Sequence, residues 1–371
     1  MKGISAIRGP IASLAMVSAV LLSACERTQE PKTDSATALP KAEADLNPIE
    51  LASPTLARVK QRGYLICGIH ESLFGFSYTD NRGNWRGFDV DFCRATAAAI
   101  FGRADAVRFV PLSSANRFAA VKDGRVDVLW RNSSWTMSRD SDGELTFAGI
   151  NYYDGQGFLV RRSLNLSSAT ELNGARICVH SNSTNELNAE DYFRTHQIEF
   201  KPVILPNEEA ARQTYAREGC DALTGDVSAL AAARSLMTDP KQHVVLPEVI
   251  SKEPLGPVVR AGDERWAAIV RWTLNALISA EELGVTADTA KKIKEGEGSA
   301  DVQRLLGYEG EFGPRLGLNR EWARDAIAAS GNYGEIFERN IGLQSTLGLE
   351  RGLNAQWNAP ESGLIYGLPI R

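Results

Sequence analysis

Short apolar runs alternate with amphipathic stretches along most of the chain, and the alternation comes in two rounds. Ser53-Pro54 opens a helix, with serine as N-cap and proline in the first turn, and Gly63 closes it. In the first round, Tyr64–Ile69 reads as a strand, Asp89–Phe101 as a helix stopped by Gly102, and Val107–Val110 as a strand. Asn116–Lys122 then reads as a helix ending near Gly124, and Val126–Trp130 as a strand. Tyr152–Arg161 is a further extended run. In the second round, the strands are Arg176–Val179, Phe200–Leu205 and Asp221–Thr224, and the helices are Thr184–Arg194 and Asn207–Arg217. His243–Leu246 and Glu248–Val259 add extended chain. From Asp263 onward the pattern is helical, most clearly over Trp266–Leu283 and Glu321–Ala329. Alternating strands and helices argue for parallel sheets covered on both faces, and two rounds argue for two α/β lobes. The runs Gly155–Val160 and Ser251–Arg260 are candidates for the crossings between lobes. Ligands in such folds bind at the carboxyl ends of strands, so the cleft between the lobes is the natural site.

The first residues break this rhythm. Lys2 and Arg8 precede an apolar run from Ile11 to Leu22, followed by Ser23-Ala24-Cys25. A basic start, a short apolar core and small residues describe an export signal over 1–24, too short for a comfortable permanent span. Leu22-Ser23-Ala24-Cys25 resembles a bacterial lipobox, which implies cleavage before Cys25 and lipid attachment to it; an ordinary signal with a chance cysteine is the competing reading. Residues 25–52 are polar, punctuated by Pro31, Pro40 and Pro48, and read as a flexible tether with a reach of about 30 Å. Of 371 residues, 43% are hydrophobic and 23% charged, the pattern of a soluble globular protein long enough for two lobes. The net charge of −5 comes without a basic block, which argues against nucleic acid as a partner.

Five cysteines make an odd count. With Cys25 lipidated, Cys67, Cys93, Cys178 and Cys220 remain, an even set that favours disulfides outside the cytoplasm. Their spacing suggests Cys67–Cys93 and Cys178–Cys220, although four cysteines permit three pairings and free buried thiols are the alternative. Each bridge would stabilise by roughly 3–4 kcal/mol through the unfolded chain. No Cys-x-x-Cys pair occurs and only four histidines are present, so neither a metal site nor a cofactor is expected.

Gly87-Phe88-Asp89-Val90-Asp91-Phe92, followed by an alanine-rich helix, resembles the signature of the polar amino-acid binding proteins of ABC importers; Thr96 departs from it, standing where an apolar residue is usual. The resemblance covers residues 55 to about 340. Asn151–Phe158, Ser251–Pro257 and the run Gly331-Asn332-Tyr333-Gly334-Glu335-Ile336-Phe337-Glu338-Arg339-Asn340 are similar to the general L-amino-acid binding branch. Members of that branch are usually free periplasmic proteins, so a lipobox is a departure. The resemblance implies an α/β, type II periplasmic binding-protein fold. Each lobe would be a mixed, mostly parallel sheet flanked by helices, with the ligand cleft between lobes. Residues 53–157 and 256–371 would form lobe 1 with a C-terminal helical extension, and 158–255 lobe 2. The Gly, Asn and Pro of Leu343–Arg371 suggest an irregular strap over lobe 1.

A zwitterionic amino acid needs an anion site and a cation site close together. Arg139 closes the run Asn132-Ser133-Ser134-Trp135-Thr136-Met137-Ser138-Arg139, and a guanidinium can hold a carboxylate through two charge-assisted hydrogen bonds. The hydroxyls of Ser134 and Thr136 can complete that shell. The resemblance gives Arg139 the α-carboxylate, Thr184 a contact from lobe 2, and Asp226 the α-ammonium. Each has a competing local role: Arg139 as a surface charge, Ser183–Glu186 as a capping box, and Asp226 as N-cap of the following helix. Matching side-chain pocket positions are His70, Leu73, Ser114, Asn132 and His180, either histidine being equally open to a packed core role. Their small and neutral character implies a roomy pocket without a single fixed charge to select acidic or basic ligands. Trp135 is the tryptophan placed nearest the ligand.

These readings lead to an extracytoplasmic substrate-binding component that captures L-amino acids with broad specificity and passes them to a membrane permease, tethered in the periplasm through Cys25. Two alternatives use the same fold. A periplasmic dehydratase-like enzyme would have only His70, His180 and Asp226 for proton transfer, without a Ser-His-Asp set or a paired acid and base. A sensor module would be expected to carry a transmembrane or signalling domain.

Overall fold

Two five-stranded sheets organise the chain, and they share one plan of strand order. The computed structural model describes residues 52–371. The expected signal, Cys25 and all but the last residue of the expected tether lie outside the described residues. In the first sheet the order is 107–112, 65–70, 128–129, 258–260, 145–147. In the second it is 201–205, 176–180, 222–226, 156–161, 243–245. The first three strands of each sheet run parallel, and the returning strand pairs antiparallel with its neighbours.

Between the sheets a short antiparallel pair, 152–154 with 253–255, joins the lobes. This corrects one expectation. The run Gly155–Val160 is not a crossing; 156–161 is a strand of the second sheet, and the crossing ends at Gly155. The extended run over 152–161 divides into two strands there because the chain changes sheets. A Cβ on Gly155 would collide with Val249 and the carbonyl of Ser251, and one on Gly256 with the carbonyl of Gly149. Glycine at both places lets the two crossing segments run close together.

Burial in the first lobe centres on the helix Phe88–Phe101, twelve of whose fourteen residues are buried. Its Phe92 stacks on Trp130 with centroids 4.7 Å apart. Thr96 has a reason to differ from an apolar residue: its hydroxyl donates to the Phe92 carbonyl (2.8 Å) and accepts the indole N–H of Trp130 (3.2 Å). Without it the indole would be a buried donor lacking a partner. Cys67 bonds to Cys93, tying the first strand to this helix, and Cys178 bonds to Cys220 in the second lobe, the two pairs that the spacing suggests.

Residues 343–371 hold no regular element beyond a single turn at Gly352–Asn354. The strap is pinned at several places on lobe 1, and Asn354 brackets Tyr153 of the crossing: its Oδ1 accepts from Tyr153 N–H (2.7 Å) and its Nδ2 donates to Tyr153 carbonyl (3.0 Å). Among the described residues, no helix is long and apolar enough to cross a membrane.

Candidate functional site

The carboxyl ends of the parallel strands of both sheets converge on one polar cavity of about 250 Å3 including its mouth. Ser114, Arg117, Arg131, Asn132, Ser134 and Arg139 form the first-lobe wall; His180, Thr184, Asn185, Glu208 and Asp226 form the opposite wall. Seven of the expected residues thus meet here: Ser114, Asn132, Ser134, Arg139, His180, Thr184 and Asp226. Leu73 instead lines a neighbouring, more apolar cavity, bounded by Phe74, Leu223 and Leu230, that shares His180, Asn185, Glu208 and Asp226 with the polar one. Thr136 faces neither. It N-caps the short helix Met137–Asp140, its hydroxyl accepting from Arg139 N–H (3.4 Å), and so acts on the site only by fixing where Arg139 starts. Trp135 also lies outside both cavities, stacked on Phe147 at 5.4 Å.

Arg139 is held loosely by protein. One Nη donates to the Ser134 carbonyl (2.8 Å), and the guanidinium lies over the Phe118 ring. Burial pushes its pKa down, against the fields of Glu253 and Asp226. Arg131 is anchored more firmly: Nε donates to the Leu112 carbonyl (3.0 Å) and Nη2 to Ser114 Oγ (3.1 Å). Arg117 is 3% exposed, donates from Nη1 to the Ser114 carbonyl (2.6 Å), and has a buried Nε without a partner. Burial, with Arg131 and Arg139 alongside, pushes its guanidinium well below the ordinary range.

These arginines overturn the expectation of a pocket without fixed charge. Arg117 opens a helix directly after the 107–112 strand, and Arg131 follows the 128–129 strand, so both side chains start at the carboxyl ends where ligands bind. That rule, applied residue by residue, would have found them; periodicity alone treats each as a surface position. The same holds for Glu208, the first residue of the helix that follows strand 201–205.

Glu208 is where the two histidines go. His70 Nδ1 accepts from the Ser72 N–H (2.9 Å), which leaves its proton on Nε2, in contact with the Glu208 carboxylate. His180 Nε2 lies 3.4 Å from the other oxygen. Burial lowers both histidines, His180 to about 4, despite the nearby carboxylate. Burial opposes ionisation of Glu208 as well, but His70, His180 and Arg131 hold it well below the usual carboxylate range. Glu208 is thus ionised at neutral pH, with the Nε2–H of His70 directed at it. His70 is therefore an interlobe contact that does not itself line either cavity.

Asp226 occupies the N-cap position of the helix Val227–Ser235, but its side chain does not cap it. No cap bond forms, and its Oδ1 accepts from Asn185 Nδ2 (2.9 Å). Burial, reinforced by Asp154 and Glu253, raises its carboxyl well above the ordinary range. Asp154 is raised to about 6, first by burial. Nor does the expected capping box form over Ser183–Glu186. Ser183 Oγ donates to the His180 carbonyl (2.8 Å), so this hydroxyl does not cap the start of the helix Thr184–Thr195. The cavity is thus dipolar, with guanidinium groups crowded on one wall and, on the other, an ionised Glu208 and an Asp226 carboxyl short of a cation.

The model of the bacterial extracellular solute-binding proteins, family 3, matches residues 65–289. The chain belongs to this family. It is 48% identical to the glutamate/glutamine/aspartate/asparagine-binding protein BztA of Rhodobacter capsulatus, over 86% of this chain and 94% of the relative. Identity to the general L-amino acid-binding periplasmic protein AapJ of Rhizobium johnstonii is 47%, over 86% and 94%. Among solved structures, an ABC transporter periplasmic binding protein from Brucella ovis with glutathione bound is 49% identical, with a TM-score of 0.83 over 86% of this chain and all of that one. The two-lobed architecture of the family places the converging strand ends, and with them the dipolar cavity, in the interlobe cleft.

Proposed function

We propose that this protein captures free L-amino acids in its cleft, with broad specificity, and delivers them to the permease of an ABC importer. One observation carries the reading: guanidinium and carboxyl groups face each other across one cavity, and Arg117 on one wall and Asp226 on the other each lack a counter-ion that a zwitterion would supply. Arg139 takes the α-carboxylate and Asp226 the α-ammonium. Arg117 and Arg131 receive a side-chain carboxylate or amide oxygen, while Glu208 offers an acceptor to amides and cations. Groups of both signs in one pocket suit a binder that accepts acidic, amide and neutral side chains, in keeping with the names of its relatives. Micromolar to nanomolar capture needs about 8–12 kcal/mol, within reach of two buried charge pairs.

Ligand first meets lobe 1, and closure about the 152–154 and 253–255 strands brings the second wall onto it. The closed state is favoured because ligand binds it better. Binding, not turnover, is the activity: ligand recovered after long incubation is expected unchanged. The N-terminal sequence supports export and a lipid on Cys25, which would hold the binder beside a membrane in the periplasm.

Isothermal titration calorimetry with L-glutamate, L-glutamine and L-leucine tests the reading. Arg139→Ala is expected to abolish measurable binding of all three while the melting temperature stays within a few degrees. Unchanged affinity would remove Arg139 from the site. A second ligand class has an observation of its own. The apolar cavity continues past Glu208 from the polar one, giving room for a ligand longer than an amino acid. A γ-glutamyl peptide carries the same amino-acid head, and glutathione belongs in the same titration series.

A further inference from the structure

Glu253 sits on the crossing strand, is 2% exposed, and does not line the polar cavity. Its carboxylate nevertheless gathers four side chains from both lobes and the hinge. Oε2 accepts from the hydroxyl of Ser134, in the first lobe, and from that of Thr184 (2.9 Å), in the second. Oε1 accepts from Ser251 Oγ (2.8 Å) and Asn188 Nδ2 (2.7 Å). Backbone bonds hold the same junction: Trp135 N–H donates to the Pro254 carbonyl (2.8 Å) and Gly256 N–H to the Ser133 carbonyl (3.1 Å).

A hydroxyl has one proton to donate and lone pairs to accept with. Ser134 and Thr184 both spend their proton on Glu253, and both line the polar cavity. What they present to a ligand is therefore lone pairs. They cannot complete the shell of a carboxylate; they suit a donor such as an ammonium, beside Asp226 on the same cavity wall as Thr184. This reverses the role expected of the Ser134 hydroxyl as a donor to the α-carboxylate.

We propose that Glu253 is a positioning residue that fixes Ser134 and Thr184, one from each lobe, as acceptors for the ligand's α-ammonium. The proposal rests on the amino-acid reading of the cleft. Its consequence is selectivity at the α-position. An ammonium offers three protons to Ser134, Thr184 and Asp226, whereas a 2-hydroxy acid offers one, so that even with a protonated Asp226 donating to it, one of the two fixed hydroxyl acceptors faces a lone pair. Removing Glu253 frees both hydroxyls to rotate and donate, so the 2-hydroxy acid should recover part of what it lacks.

The test compares L-glutamate with L-2-hydroxyglutarate by calorimetry on the full-length protein. The wild type is expected to prefer the amino acid by at least a hundredfold. In Glu253→Ala and Glu253→Gln the amino acid should lose at least tenfold in affinity and the hydroxy acid less, so that the ratio falls at least tenfold. A purely structural role would weaken both ligands equally, and an unchanged ratio overturns the proposal. Should neither Glu253 variant fold, the Ser134→Ala/Thr184→Val pair removes the oriented hydroxyls directly and must lower the same ratio. A wild type that binds neither ligand would instead overturn the amino-acid reading.

Discussion

Arg117→Met should stabilise the ligand-free protein and weaken its hold on acidic ligands, two effects of opposite sign from one substitution. Arg117 is almost fully buried, makes one hydrogen bond to protein, lies over the Phe118 ring at 4.6 Å, and shares its surroundings with Arg131 and Arg139. Methionine fills much of the same volume and keeps apolar contact with the ring. The variant loses the charged bond to the Ser114 carbonyl, about 1.5–3 kcal/mol, and the cation–π contact, about 0.5–2 kcal/mol. Against this, it removes a buried charge whose desolvation costs several kcal/mol and an Nε costing about 1–3 kcal/mol while unpaired. Relief of repulsion from two neighbouring guanidinium groups adds to that side. The balance favours the variant by about 1–3 kcal/mol, which in a domain of this size raises the melting temperature by a few degrees. On the proposed function, the same guanidinium is an anchor for L-glutamate. Truncating one partner of a buried charge pair costs about 2–5 kcal/mol, or roughly thirtyfold to a few thousandfold in Kd. L-leucine, which offers Arg117 no carboxylate, should bind about as before. Differential scanning calorimetry without ligand and titration with both amino acids read the two signs. A lower melting temperature together with unchanged glutamate affinity would show Arg117 to be a structural residue and refute the reasoning.

Two further predictions use different parts of the chain. Asp154, raised to about 6 chiefly by burial, holds its proton longer in the folded protein than in the unfolded chain. A raised carboxyl contributes stability that is fully present below the unfolded pKa near 4 and is lost as pH rises through 6. Asp154→Asn, whose amide oxygen can still accept from the backbone N–H groups of Gly155 and Ser228, should therefore gain melting temperature over the wild type as pH rises from 4 to 7; a constant offset across that range would exclude Asp154 as the cause. Radiolabelled palmitate supplied to bacteria expressing the full chain should enter the protein and be lost in Cys25→Ala, whereas no incorporation, with a mature N-terminus other than residue 25, would remove the tether and leave ligand capture untouched.

Most of the fold was legible because its signals are local. Gly63 and Gly102 close their helices with positive φ, as their places after amphipathic runs require. The βα alternation gave the two sheets, and cysteine spacing gave two bridges that each stay within one sheet region. The crossing was misplaced for a non-local reason. Residues 152–161 are extended throughout, and only pairing shows that 152–154 joins 253–255 while 156–161 enters the second sheet. Nothing in the run itself marks the change of partner except Gly155, which a sequence reader meets as one glycine among 32.

The site was legible to a different degree at each wall. Arg139, Thr184 and Asp226 were legible through the family resemblance, and these three come together at one cavity. Arg117, Arg131, Glu208 and Glu253 receive no role from it, and their meaning depends on which groups face them. Glu253 is the clearest case. In sequence it is one acid between a lysine and a proline; in the fold it is the acceptor toward which hydroxyls of both lobes turn. Hydroxyl-rich loops are easily read as donor shells for an anion, as Ser134 was, because a sequence displays the hydroxyl and not its proton. Which way that proton points is decided by a third residue, here 119 positions away. A binding residue's chemistry is thus set partly by a neighbour that never touches ligand, and broad specificity toward side chains can coexist with strict selection of the ammonium they are attached beside.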